Sequence, residues 1–102
     1  MATAIVWSAG AQADLTEIYE FIARDSPRYA EIVVRSLLEA LERLRDFPGS
    51  GRMVPELERD DVREVLWQAY RIVYQLRGGE AAVLTVFRAS RLLPPLRLEG
   101  AE

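Results

Sequence analysis

The spacing of hydrophobic positions changes period about halfway along the chain. Thr3-Ala4-Ile5-Val6-Trp7 is β-branched and aromatic, bounded by Ser8 and Gly10, and predicts a short strand. Leu15, Ile18, Tyr19 and Ile22 then recur at helical spacing, which predicts an amphipathic helix over about residues 9–25. Ser26-Pro27 supplies a hydroxyl N-cap followed by proline at the first helical position. Behind it Ala30, Val34, Leu37, Leu41 and Leu44 mark one stripe, widened by Val33 and Leu38, so a second helix is expected to run to about Phe47. Pro48-Gly49-Ser50-Gly51 stops it. So short a connection makes the two helices an antiparallel hairpin.

Beyond Gly51 the helical period disappears. Val62–Trp67, Tyr70–Leu76 and Ala82–Phe87 are rich in Val, Ile, Tyr and Phe, and Gly78-Gly79 marks a tight turn between the last two. In the middle run Tyr70, Ile72, Tyr74 and Leu76 share one face, while Arg71, Val73, Gln75 and Arg77 share the other. The tyrosine face should lie on the helix hairpin. Val83-Leu84-Thr85-Val86-Phe87 does not alternate, as expected of a central strand covered on both sides. The predicted architecture is an α+β domain in the order β-α-α-β-β-β, a two-helix hairpin packed on one face of a small, mostly antiparallel sheet. Residues 1–93 form the expected domain, and 94–102, opening on Pro94-Pro95, a flexible tail.

Composition narrows the chemistry. The chain has 102 residues, half of them hydrophobic and 28% charged, so one globular domain with a real core is expected. Histidine, cysteine and lysine are absent, which removes the usual proton shuttle, thiol nucleophile and Schiff-base amine. No metal site and no cofactor are expected from such a residue set. The lack of cysteine suits a reducing cytosol, no apolar run approaches the roughly 20 residues of a membrane span, and the first residues lack a signal-peptide pattern. A cytoplasmic protein with no membrane partner is the expectation.

All 13 basic residues are arginines, and the net charge of −3 argues against nucleic-acid binding through bulk charge. Residues 1–50 hold five arginines against eight acids, and residues 51–102 hold eight against eight, so any positive patch belongs to the second half. Glu20–Arg24, Glu31–Arg35 and Glu39–Arg43 have the spacing of solvated helix pairs. Arg71 is different, because it projects from mid-strand opposite the tyrosines and must meet solvent, an internal acid or an anionic partner. Arg88 and Arg91, at the end of the last strand, are expected near it. With Arg52 and Arg63 they would make one anion-gripping face. Arg52 could instead tether a loop carboxylate such as Glu56 or Glu58, and Arg63-Glu64 could form a cross-strand ion pair.

The chain resembles the ParE/RelE superfamily of bacterial type II toxins over nearly its whole length. The resemblance rests on Val6-Trp7-Ser8, Ala13-Asp14-Leu15, Pro48, Gly51-Arg52, Val54-Pro55-Glu56, Arg63-Glu64, Tyr70-Arg71-Ile72-Val73-Tyr74 and Arg91-Leu92, in that order. It implies a toxin neutralised in a hetero-oligomer by an antitoxin whose C-terminal segment wraps over it. It also implies one of two targets. ParE-like members poison DNA gyrase by binding. RelE-like members cut mRNA on the ribosome, a reading that maps the base onto Glu56 and the phosphate contact onto Arg71, with Arg91 as the further candidate catalytic residue. The histidine or tyrosine that nuclease branches carry after the last strand is missing from Arg88-Ala89-Ser90-Arg91-Leu92-Leu93. The resemblance is therefore closer to ParE, with Arg52, Arg63, Arg71, Arg88 and Arg91 docking antitoxin carboxylates or the target. A non-toxic member that only forms a regulatory complex with its antitoxin is the third reading.

Overall fold

The computed structural model describes residues 2–100. Each helix starts on a serine. Ser8 Oγ accepts the Ala11 N–H at 3.0 Å ahead of α1 (Ala9–Ala23), and Ser26 Oγ accepts the Tyr29 N–H at 3.1 Å ahead of α2 (Pro27–Ala40). The second helix ends sooner than its hydrophobic stripe. After Ala40 the chain tightens into a 3-10 turn over Glu42–Arg45, which keeps Leu41 and Leu44 buried. The three expected helix pairs are not among the ion pairs of the described residues, where the helical region contributes Arg45–Glu42 at 3.0 Å instead. Long exposed side chains gain little from such pairing.

The strands are β1 (Ala4–Trp7), β2 (Arg52–Met53), β3 (Val62–Trp67), β4 (Tyr70–Arg77) and β5 (Glu80–Arg88). They form one sheet in the order β1-β5-β4-β3-β2, antiparallel except for the β1–β5 pair. The two-residue β2, invisible to a periodicity argument, makes five strands rather than four. Gly78-Gly79 closes the β4–β5 hairpin, with Gly78 at φ +59° and Arg77 opposite Glu80.

Register assigns the two faces as alternation predicts. Val65, Ile72, Tyr74, Val83 and Val86 meet Ala11, Val33, Leu37, Leu41 and Leu44 in the main core. The non-alternating run in β5 has a local cause. Val73 pairs with Thr85 and Tyr74 with Val83, so Leu84 is an extra residue in a bulge. The β5 edge beyond β1 is covered by the start of α1. Here Asp14 Oδ2 accepts the Thr85 hydroxyl at 2.6 Å and the Val86 N–H at 3.1 Å.

The opposite sheet face carries a second, smaller core of Val54, Val62 and Val73, packed by Leu57, Phe87, Leu93, Leu96 and Leu98. Residues 94–100, expected as a flexible tail, hold no helix or strand, yet they lie along this face rather than in solvent. Gln75 both donates to the Glu99 carbonyl at 2.8 Å and accepts the Glu99 N–H at 3.0 Å. Arg77 and Arg59 donate to the carbonyls of Arg97 and Glu99. The physical reason is that Val62 and Val73 would otherwise leave an apolar sheet face uncovered. Residues 101 and 102 of that expected tail lie outside the described residues.

Candidate functional site: an arginine–carboxylate row

β4 turns Arg71 onto the second face, opposite Leu66 of β3 and Phe87 of β5, and its guanidinium lies 5.0 Å from the Phe87 ring centroid. The Arg71 side chain is 8% exposed, so its charge needs partners. It has two. Arg71 Nε donates to Glu64 Oε1 at 2.6 Å, and Nη1 and Nη2 donate to the two Glu56 oxygens at 2.7 Å each. Glu64, whose side chain is wholly buried, gives its other oxygen to Arg52 Nε at 2.6 Å across the β2–β3 pair. Arg52, Glu64, Arg71 and Glu56 thus form a neutral row of alternating charge, and every carboxylate oxygen in it is engaged.

The row shifts its own proton affinities. The Arg71 hydrogen bonds hold the Glu56 carboxyl down at about 2, against the weaker opposing effect of burial. Arg71 is pushed above the usual arginine range, first by Glu56 and then by Glu64. Tyr74 supports the row from the core side. Its hydroxyl donates to the Pro48 carbonyl at 2.7 Å and accepts the Gly51 N–H at 3.1 Å, which fixes the turn leading into Arg52. Gly51 is required by that approach, since a Cβ there would sit 2.5 Å from the Tyr74 hydroxyl and 2.8 Å from the Glu64 carbonyl.

The five arginines singled out from the sequence do not share one face. Arg52 and Arg71 lie in the row, and Arg52 tethers Glu64 rather than Glu56 or Glu58. Arg63 sits on the Tyr74 side of the sheet and donates to the carbonyls of Asp60 at 2.9 Å and Gly51 at 3.0 Å. Arg88 also turns to the helix side, with its guanidinium 5.4 Å from the Tyr70 ring centroid, so it is not beside Arg71. Arg88 and Arg91 instead line a groove of about 760 Å³ between the end of β5 and α1, shared with Glu17, Phe21, Arg24 and Leu92. Adjacent positions on a strand point to opposite faces, which is why Phe87 and Arg88 part company.

Glu64 was the residue hardest to place from sequence. Its signal is a carboxylate whose neighbours on the same strand face, Val62 and Leu66, are apolar, while the adjacent Arg63 suggests only a local ion pair. Among the described residues there is no cluster of metal-ligating side chains, and no helix is long and apolar enough to cross a membrane.

Two helices laid on a mostly antiparallel sheet, with a parallel N-terminal edge strand, define a ParE/RelE-like toxin fold. The model of the ParE toxin of the type II toxin–antitoxin system parDE matches residues 5–93, so the chain belongs to that family and is the toxin component of such a system. The toxin RelE2 of Caulobacter vibrioides is 31% identical over 88 residues, covering 86% of this chain and 97% of that one. Among solved structures, a chain of the chromosomal ParDE system from P. aeruginosa superposes with a TM-score of 0.71 at 23% identity, covering 85% of this chain and 96% of that chain. A chain of the RelBE2 toxin–antitoxin complex of Mycobacterium tuberculosis gives 0.59 at 19% identity, with 86% and 99% covered. At those identities the two structures speak for the fold alone.

Proposed function

We propose that this toxin acts by binding, inhibiting DNA gyrase in the ParE manner, and that an antitoxin neutralises it in a cytoplasmic hetero-oligomer. The observation that carries the reading is the state of Glu56. A general base works best with a pKa near the operating pH. Glu56 is held at about 2, with both oxygens on Arg71. It has little affinity for a 2'-hydroxyl proton, and Arg71 already gives three of its five N–H donors and its whole charge to two carboxylates, with which a phosphate would have to compete. The row therefore favours a structural clamp over a cleavage site. Arg88 and Arg91 are exposed and make no ion pair among the described residues, so in a groove that also holds Asp14, Glu17 and Glu20 these two arginines are the positions that suit acidic side chains of a partner.

Ribosome-dependent mRNA cleavage is the second reading, favoured by the name RelE2 of the 31% identical relative. A paired assay decides. Purified protein is added to a gyrase supercoiling reaction and to programmed ribosomes. The expected result is loss of supercoiling with intact mRNA, in the parent and in Glu56→Gln alike. Codon-dependent cuts with unaffected gyrase would overturn the proposal.

A further inference from the structure

The groove between α1 and the end of β5 carries both signs of charge, on separate walls. Glu17 and Glu20 stand exposed on α1, and Arg88 and Arg91 stand exposed at the end of β5 and just beyond it. None of the four forms an ion pair among the described residues, so each wall keeps its charge unmatched. Of the remaining charges in the groove, Asp14 is taken up by the Thr85 hydroxyl and the Val86 N–H, and the Arg24 guanidinium lies 5.7 Å from the Phe21 ring centroid. The same groove presents two large apolar side chains to solvent, Phe21 at 59% exposure and Leu92 at 92%.

A partner of one sign satisfies one wall and leaves the other unmatched. The partner that satisfies both must carry an acidic and a basic strip at the same spacing. A second copy of this chain does so by construction, because in a two-fold contact residue i meets residue j and j meets i. We infer that the free toxin self-associates through this groove as a two-fold dimer. Glu17 and Glu20 of each copy face Arg88 and Arg91 of the other, and Phe21 and Leu92 are covered between them. The inference is independent of which target the toxin inhibits. Charged walls around an apolar centre are the makeup of a non-obligate interface, so association depends on concentration, and salt weakens it by screening.

The test is sedimentation velocity of the purified full chain, free of antitoxin, across a concentration series at low and high salt. A monomer–dimer equilibrium is expected, weaker at high salt. Glu17→Arg/Glu20→Arg sets like charges face to face and is expected to weaken association at least about tenfold. Arg88→Glu/Arg91→Glu is expected to do the same, so each wall is tested separately. Combining all four substitutions exchanges the two strips at unchanged net charge and is expected to restore the dimer. The substituted positions are exposed, and far-UV circular dichroism checks that each variant is folded. A parent chain monomeric throughout would overturn the inference, as would a dimer indifferent to either reversal or unrestored by the exchange. A monomeric parent whose capture by the antitoxin is lost in Arg88→Glu/Arg91→Glu would assign the groove to the antitoxin alone.

Discussion

Glu64→Gln is the most informative single change. It keeps shape and removes the charge that links Arg52 to Arg71. Arg52 is 55% exposed and finds water when its partner goes, so that side of the row contributes under about 1 kcal/mol. Arg71 is 8% exposed and would keep Glu56 but face an amide at Nε. Breaking a buried pair costs about 3–5 kcal/mol when no partner remains; with Glu56 still in place, about 2–4 kcal/mol is expected. For a domain of this size that lowers Tm by roughly 10–25 °C. Thermal and urea unfolding followed by circular dichroism would measure it beside Arg52→Ala, for which only a few degrees are expected. Replacing Glu64 and Arg71 together by Leu and Met should recover part of the loss, since an apolar pair leaves no buried charge unmatched. Equal effects of Glu64→Gln and Arg52→Ala would refute the account of a buried, Arg71-centred row.

Three further outcomes are expected. Gly51→Ala should destabilise by about 1–3 kcal/mol in the same unfolding assay, because its Cβ collides with the Tyr74 hydroxyl and a backbone carbonyl; a neutral result would mean the turn has room. Glu56 titrates at about 2 folded and near 4.5 unfolded, so its stabilisation is present above pH 4.5 and is lost as pH falls toward 2. Its side chain is 40% exposed, so about 1–2 kcal/mol is at stake, and Glu56→Gln should flatten the stability profile across that window. Arg88→Ala/Arg91→Ala should leave Tm within a few degrees and weaken capture by the antitoxin tenfold or more in a pull-down or calorimetric titration; unchanged affinity would place that interface elsewhere.

The helices, their N-terminal proline and the two faces of β4 were legible because each depends on neighbours within a few residues. Val33 and Leu37 recur at helical spacing, and Tyr70, Ile72 and Tyr74 alternate with Arg71 and Val73. The Arg71 partners were not legible in the same way. Sequence limited them to solvent, an acid or a ligand, and only tertiary register brings Glu64 and Glu56 to the guanidinium. The expected arginine face failed for a related reason. Parity along β5 separates Arg88 from the Arg71 side, and the bulge at Leu84 changes the count from that of a regular strand. The docked tail had a signal that went unused. Val62, Val73 and Gln75 on the outer face called for a cover, and Leu93, Leu96 and Leu98 were the apolar residues left to provide it.

The parallel β1–β5 pair has a consequence for how the chain is made. Ala4 is matched with Glu80 and Trp7 with Val83, so the first strand waits for nearly the last one. Closing so long a loop is entropically unfavourable and slow, and no other strand of the sheet pairs with β1. During synthesis β1 has no ladder partner, and the sheet-facing side of α1 no strand beneath it, until β5 emerges. A chain interrupted before that strand lacks the central strand on which α1 rests and with which β1 pairs, so the complete sheet forms only once β5 has been made.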